Sequence, residues 1–279
     1  MKRSDIVAAL IALGYKAEAH ETVKNGVIFE GITINNDAVV APIIYTQQLI
    51  DEAEKRGKGL SDVVNEVIRV YEENRWPGID ASRFLEREFI LPRLRIGIQK
   101  ESDEDLEKRE CELEGLEAYM YVNGCKEDGH GNEFCIKAKK GYLKNAGIDP
   151  AEAWKIAEKN TFAETQIRKM SEVIAEICGM QYDESMESDF GNPFYVVKNA
   201  SGVNGASAIL DRKALVEFGR EHGIDRVLVL PSSIHEMLIV PYDECLMNLD
   251  EYSEMVRSIN EAEVAPEEQL TDRAYIMTL

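Results

Sequence analysis

RVLVLPSSIHEMLIVP, residues Arg226–Pro241, is the stretch that decides the fold: two apolar runs, Val227–Leu230 and Met237–Val240, enclose a short polar cluster. Runs of this length rich in β-branched residues and bounded by turn formers read as strands, and so short a connection folds them into a hairpin. The cluster contains Ser232, Ser233, His235 and Glu236. It is the one place in the chain where several chemically capable side chains fall between rigid elements.

Outward from this hairpin, Tyr195–Val197 is strand-like, and Ser207–Gly219 reads as a helix with Ser207 as its cap. Asp149-Pro150 opens a helix to about Asn160, because proline at the first helical position lacks only a donor that would be unpaired there. Phe162–Ile177 reads as a further helix, with Ile167, Met170, Ile174 and Ile177 on one side. Leu116–Val122 and Phe134–Lys137 are strands about the loop Asn123–Asn132, and Gln99–Glu112 is an exposed helix or connector.

In the first hundred residues a helix at Ile6–Leu13 stops at Gly14, and the β runs Val27–Ile34 and Ala38–Tyr45 flank a turn at Asn35-Asn36-Asp37. Helical stripes follow through Leu49, Ile50 and Ala53, then from Leu60 to Tyr71 after a cap at Ser61, ending at Trp76-Pro77-Gly78. A short helix near Ala81–Phe89 precedes a strand at Arg93–Ile98. Hairpins mixed with helices, without regular βαβ alternation, give an α+β class with antiparallel sheet elements. Two lobes are expected, residues 1–100 and 113–249, with 250–279 as a tail or closing segment.

The chain has 279 residues and a net charge of −20. Residues 1–100 carry 14 basic and 15 acidic groups, whereas 101–200 carry 12 and 22 and 201–279 carry 6 and 15. Such a surface repels phosphate backbones and anionic lipids, so direct nucleic-acid and membrane binding are disfavoured. It leaves a solubilising role, a basic protein partner, or acidic mimicry of nucleic acid. Five widely spaced cysteines without a CxxC favour ordinary thiols in a reducing compartment. Lys2 and Arg3 before Ile6–Leu13 resemble a signal start, but the apolar run is short and soon meets charged residues, so a cytoplasmic location is expected.

Ser233 and His235 could serve a hydrolase or transferase if the imidazole took a proton from a serine or a water while a carboxylate from elsewhere oriented the ring. His235-Glu236 is followed by Met237-Leu238-Ile239 and lacks the second histidine of HExxH, so no metal is assigned; no cofactor is assigned either. His20, His130 and His222 bear no metal-like spacing to it, and Lys126–Asn132 lacks the ligand spacing of a calcium loop. Gly202-Val203-Asn204-Gly205-Ala206-Ser207 matches neither phosphate-loop pattern and reads as a connection. Asp183, Glu184, Glu187 and Asp189, in an acidic run before Phe190, Phe194 and Tyr195, are candidates for contact with a basic partner.

Three stretches stand out: NGVIFEGITINNDAVVAPIIYTQQLIDEAEKRGKGLSDVVNEVIRVYEE at Asn25–Glu73, YLKNAGIDPAEAWKIAEKNT at Tyr142–Thr161, and VVKNASGVNGASAILDRKALVEFGREHGIDRVLVLPSSIHEMLIVP at Val196–Pro241. They resemble the DUF5688 family of bacterial proteins, mainly from gut Firmicutes. More remotely, the last stretch is similar to DUF1444/YtpQ-type proteins, in which a strand leads through proline and a histidine-containing turn to another strand. The resemblance implies a shared local architecture and carries no activity, substrate or cofactor. The function expected is that of a cytoplasmic interaction or regulatory protein without catalysis.

Overall fold

A computed structural model of the chain describes residues 1–34, 43–74, 81–124, 134–181, 193–242 and 248–279. The chain forms two compact units, Met1–Phe84 and Leu85–Leu279. Antiparallel sheets and helices are mixed in both, as the α+β reading expects.

In the first unit, α1 (Arg3–Ala12) precedes strands β1 (Ala17–Lys24), β2 (Val27–Ile34) and β3 (Ile43–Tyr45), then α2 (Gln47–Lys55) and α3 (Leu60–Asn74). β2 pairs with β3 as expected, while the proposed turn at Asn35-Asn36-Asp37 lies outside the described residues. β1 is an addition to the sequence reading. It pairs along its whole length with β2 across Asn25-Gly26, both with positive φ (50° and 80°), the conformation that Asn and Gly adopt at least cost in a two-residue hairpin.

The sheet buries Ile32, Ile34 and Ile44 against Ile6, Leu10, Ile50, Val63, Val67 and Tyr71 of the helices. Each such side chain contributes on the order of 1.5–3 kcal/mol when removed from water. At the start of α3, Asp62 accepts the Gly59 N–H at 2.9 Å, and Ser61 sits inside the first turn rather than capping it.

The second unit opens with α4 (Arg87–Ile90), β4 (Leu94–Lys100), β5 (Lys108–Glu110), β6 (Leu116–Gly124) and β7 (Phe134–Lys137). β6 is central, paired to β4 on one side and to β5 and β7 on the other, and is buried almost throughout. Gln99–Glu112 is therefore neither an exposed helix nor a plain connector. Its first residues finish β4 and its last ones form β5, because ladder pairing to β6 supplies the backbone bonds that a helix would have made internally.

Then come α5 (Tyr142–Asn145), α6 (Pro150–Phe162), β8 (Thr165–Lys169), α7 (Met170–Ile177), β9 (Tyr195–Asn199), α8 (Arg212–His222), β10 (Arg226–Ser233), β11 (Glu236–Pro241), α9 (Leu249–Glu263) and β12 (Tyr275–Thr278). Asp149 caps α6 by accepting from the Ala151 and Glu152 N–H groups, each at 3.0 Å. The single helix expected over Phe162–Ile177 is instead strand β8 followed by α7. Thr165–Lys169 pairs residue for residue with β9, and this tertiary pairing outweighs the local helical spacing. The helix expected at Ser207–Gly219 is likewise divided: a 3-10 turn spans Gly205–Leu210, and Asp211 caps α8 through the Ala214 N–H at 3.1 Å.

β10 and β11 form the expected antiparallel hairpin in the middle of a five-stranded sheet ordered β12-β10-β11-β9-β8. Val227 and Val229 face a core with Leu215, Phe218 and Ile239, while Leu228 and Leu230 face a second core with Tyr252 and Val256 of α9. Burial on both faces is why this run is continuously apolar rather than alternating.

Candidate functional site

The hairpin that opens the sequence reading ends in a two-residue turn, Ile234-His235, between Ser233 and Glu236, which are cross-strand partners. The pairing register shifts between Pro231 and Ser233, so Ser232 is the extra residue of a bulge. Ser232, Ser233, His235 and Glu236 are all partly exposed. Pairing places Glu236 at the start of β11, whereas His235 belongs to the turn.

Two segments far apart in sequence close on this turn. From Gly202–Ser207, the Asn204 N–H donates to His235 Nδ1 at 3.2 Å and the Ala206 N–H donates to the Ile234 carbonyl at 3.2 Å. From Ala265–Glu268, the Glu268 carbonyl accepts the Ile234 N–H at 2.9 Å, and the Glu268 carboxylate lies 3.3 Å from His235 Nε2. A backbone N–H directed at Nδ1 places the neutral ring's proton on Nε2, where it donates to Glu268. Glu268 is thus the carboxylate that the fold places against the His235 ring.

With both nitrogens so engaged, the ring offers no lone pair to a serine hydroxyl in this conformation. Ser233 Oγ instead accepts the backbone N–H of His235 at 3.1 Å, and Ser207 Oγ donates to the Asn204 carbonyl at 3.2 Å. Asn204 makes the junction possible through its left-handed conformation, φ 51°, and its amide donates to Cys135 Sγ at 3.4 Å. Burial, followed by the neighbouring Cys135 sulfur, raises the Tyr121 hydroxyl pKa, although a hydrogen bond with Asn204 opposes the rise. Gly205 packs against the turn so tightly that a Cβ would stand 2.5 Å from the His235 carbonyl oxygen and 2.8 Å from Asn199 N.

The chain's extent of similarity settles its kinship: the model of DUF5688, a family of unknown function, matches residues 4–278. The chain belongs to DUF5688. No curated protein and no solved structure matches it. In this DUF5688 member the two segments singled out from sequence, Gly202–Ser207 and Pro231–Glu236, thus form one polar junction, with Glu268 as the third contributor. Glu268 was missed because it lies 33 residues beyond His235, in the segment read only as a tail or closing segment.

A second polar assembly lies on the four-stranded sheet and joins the segment expected to be an exposed helix or connector to Glu117 of β6 and Lys137 of β7. Gln99 Nε2 donates to Glu117 at 2.8 Å, and its oxygen accepts from Lys137 at 2.7 Å. The amide thereby links the ion pairs Lys108–Glu117 (2.9 Å) and Lys137–Glu104 (3.0 Å). Burial alone would raise the Glu117 pKa; hydrogen bonds from Lys108, Gln99 and Ser102 prevail and lower it. Every charge in the assembly meets its opposite, which suits a strut holding residues 101–107 to the sheet better than a reactive site.

Among the described residues, no group of three or more His, Cys, Asp and Glu side chains could hold a metal ion, and no helix is long and apolar enough to cross a membrane. His222 Nδ1 lies 2.9 Å from the Phe218 carbonyl and its ring packs on Phe218. Asp183, Glu184, Glu187, Asp189 and His130 fall outside the described residues.

Proposed function

We propose that this chain is an interaction or regulatory protein of the bacterial cytoplasm that works without catalysis, and that its partner presents a basic, amphipathic segment. The observation that carries the reading is an apolar ridge on α7 and its end: Ile174, Ile177 and Met180 are 49%, 79% and 51% exposed. Ile174 and Ile177 are three residues apart and share a helix face. Met180 follows the helix at once, where its N–H bonds back to the Ala175 carbonyl at 2.8 Å and Gly179 adopts φ 64° to end the helix.

In sequence this ridge leads directly into Asp183, Glu184, Glu187 and Asp189. An exposed apolar ridge followed in sequence by a run of carboxylates is a composition suited to a partner with apolar anchors and flanking cations. The junction around His235 supports the non-catalytic half of the reading, since its imidazole is engaged on both sides.

Affinity capture with the wild-type chain, with Ile177→Asp, and with Asp183, Glu184, Glu187 and Asp189 all changed to Lys tests the proposal. A selective partner retained by wild type and lost from both variants is expected. Failure of any captured protein to respond to either change would remove the proposal's basis.

A further inference from the structure

We infer that the free edge of β12 is a docking groove for an extended, basic peptide segment, which would add a sixth strand to the five-stranded sheet. β12 is the terminal strand in the order β12-β10-β11-β9-β8, and no described strand pairs with its outer edge. Its register with β10 runs from Arg226↔Thr278 to Val229↔Tyr275, and the Leu279 N–H bonds to the Asp225 carbonyl at 2.8 Å. Antiparallel alternation therefore directs the N–H and C=O groups of Tyr275 and Met277 toward β10 and those of Ile276 and Thr278 outward.

The ends of this outward row are already closed. The Ala274 N–H donates to Ser253 Oγ at 3.0 Å, and the Thr278 carbonyl accepts from Arg212 at 2.6 Å. Between those two bonds, the Ile276 N–H and C=O and the Thr278 N–H face outward. Among the described residues they have no partner, and they form the short backbone template that an incoming strand needs.

The edge lies in a cleft of about 550 Å³, with Glu112 and Arg212 on one wall and Leu249, Asp250 and Ser253 of α9 on the other. Leu249 and Ile276 remain 39% and 44% exposed, so alternate side chains of an added strand find apolar contacts toward α9. The charge left over is negative. Arg212 is held by Thr278 and lies 3.7 Å from Glu112, and Arg273 pairs with Glu114 at 2.8 Å, whereas exposed Asp250 has no ion pair among the described residues. A second copy of the chain would bring another net charge of −20 to the groove, while a basic strand is drawn to it. This surface is independent of the α7 ridge.

The test uses the full chain and a short synthetic peptide of alternating Lys and Val, with amide hydrogen exchange read residue by residue. When the peptide stands at about ten times its Kd, exchange at Ile276 and Thr278 is expected to slow about tenfold. The same peptide N-methylated at alternate residues should give no protection. Ile276→Pro should also abolish protection while keeping the fold, because its missing N–H is the one directed away from β10. Absence of protection at saturating peptide, or equal protection by the methylated peptide, would overturn the inference. Protection of the same amides without peptide, together with a dimer in sedimentation equilibrium, would assign the edge to a second copy and equally overturn it.

Discussion

Gly205→Ala is a demanding test of the three-segment junction, because the substitution adds one methyl group and no charge. The new Cβ would lie 2.5 Å from the His235 carbonyl oxygen, 2.8 Å from Asn199 N and 2.9 Å from Asn199 Oδ1. Ordinary contact begins at 3.4 Å, so the His235 turn must withdraw by about 0.9 Å or the 199–205 loop must open. Two of the three groups are backbone and cannot swing aside as a flexible side chain would. Withdrawal on that scale would break the bonds from Asn204 N to His235 Nδ1 and from Ala206 N to the Ile234 carbonyl, both already 3.2 Å long. Ala206 is fully buried, so its N–H would be left without water as a substitute.

A lost hydrogen bond costs about 1 kcal/mol net, and a buried unpaired donor about 1–3, so the expected destabilisation is about 2–4 kcal/mol. For a unit of this size that lowers Tm by roughly 5–15 °C in scanning calorimetry. Gly202→Ala provides the control: its φ of 72° strains any side chain, but nothing stands within 4 Å of the added Cβ. It should cost only about 1–2 kcal/mol. If Gly205→Ala proved no more damaging than Gly202→Ala, the tight apposition of loop and turn would be refuted.

Replacing His235 by Leu should destabilise the second unit by about 1–3 kcal/mol in urea unfolding, because the Asn204 N–H loses its acceptor; His235→Asn, which retains an acceptor, should recover part of the loss. Lys108→Met should cost about 2–4 kcal/mol by leaving the largely buried Glu117 carboxylate without its cation, and Lys108→Met combined with Glu117→Gln should cost less than the single change. The lowered pKa of Glu117 means that the folded state favours its carboxylate. Its contribution is therefore complete above the unfolded glutamate value, roughly pH 4.3, and disappears as pH falls through the lower folded value; Glu117→Gln should flatten the acid limb of stability measured by urea titration.

The β10–β11 hairpin was legible because two apolar runs flanked a turn too short for anything else. α6 was legible because Asp149-Pro150 carries its own start signal. β1 escaped because AEAHETVK is a largely exposed edge strand without an apolar alternation, although Asn25-Gly26 was a sufficient hairpin signal had it been weighed. β8 and β5 escaped for a different reason. Their strand state is imposed by partners at β9 and β6, and nothing within Thr165–Lys169 or Lys108–Glu110 encodes the presence of those partners. The candidate site shows the same division: His235 and the Gly202–Ser207 loop could be picked out singly, but their contact and the arrival of Glu268 depend on tertiary closure.

That closure also bears on why chemically capable residues gather in the PSSIHE turn. Three segments, around Asn204, His235 and Glu268, meet at this junction, and several of their backbone groups bond across segments or to side chains rather than within one ladder or helix. Buried or half-buried N–H groups in such places need acceptors, and Ser, His and Asn side chains provide them without regular structure. Ser233 accepts from His235 N, His235 accepts from Asn204 N, and Asn199 accepts from Gly202 N at 2.8 Å. The residue types that would announce catalysis are thus the same types that this junction requires for closure. Recognition is better sought where groups remain unsatisfied: at the outward amides of β12, and at the apolar ridge of α7.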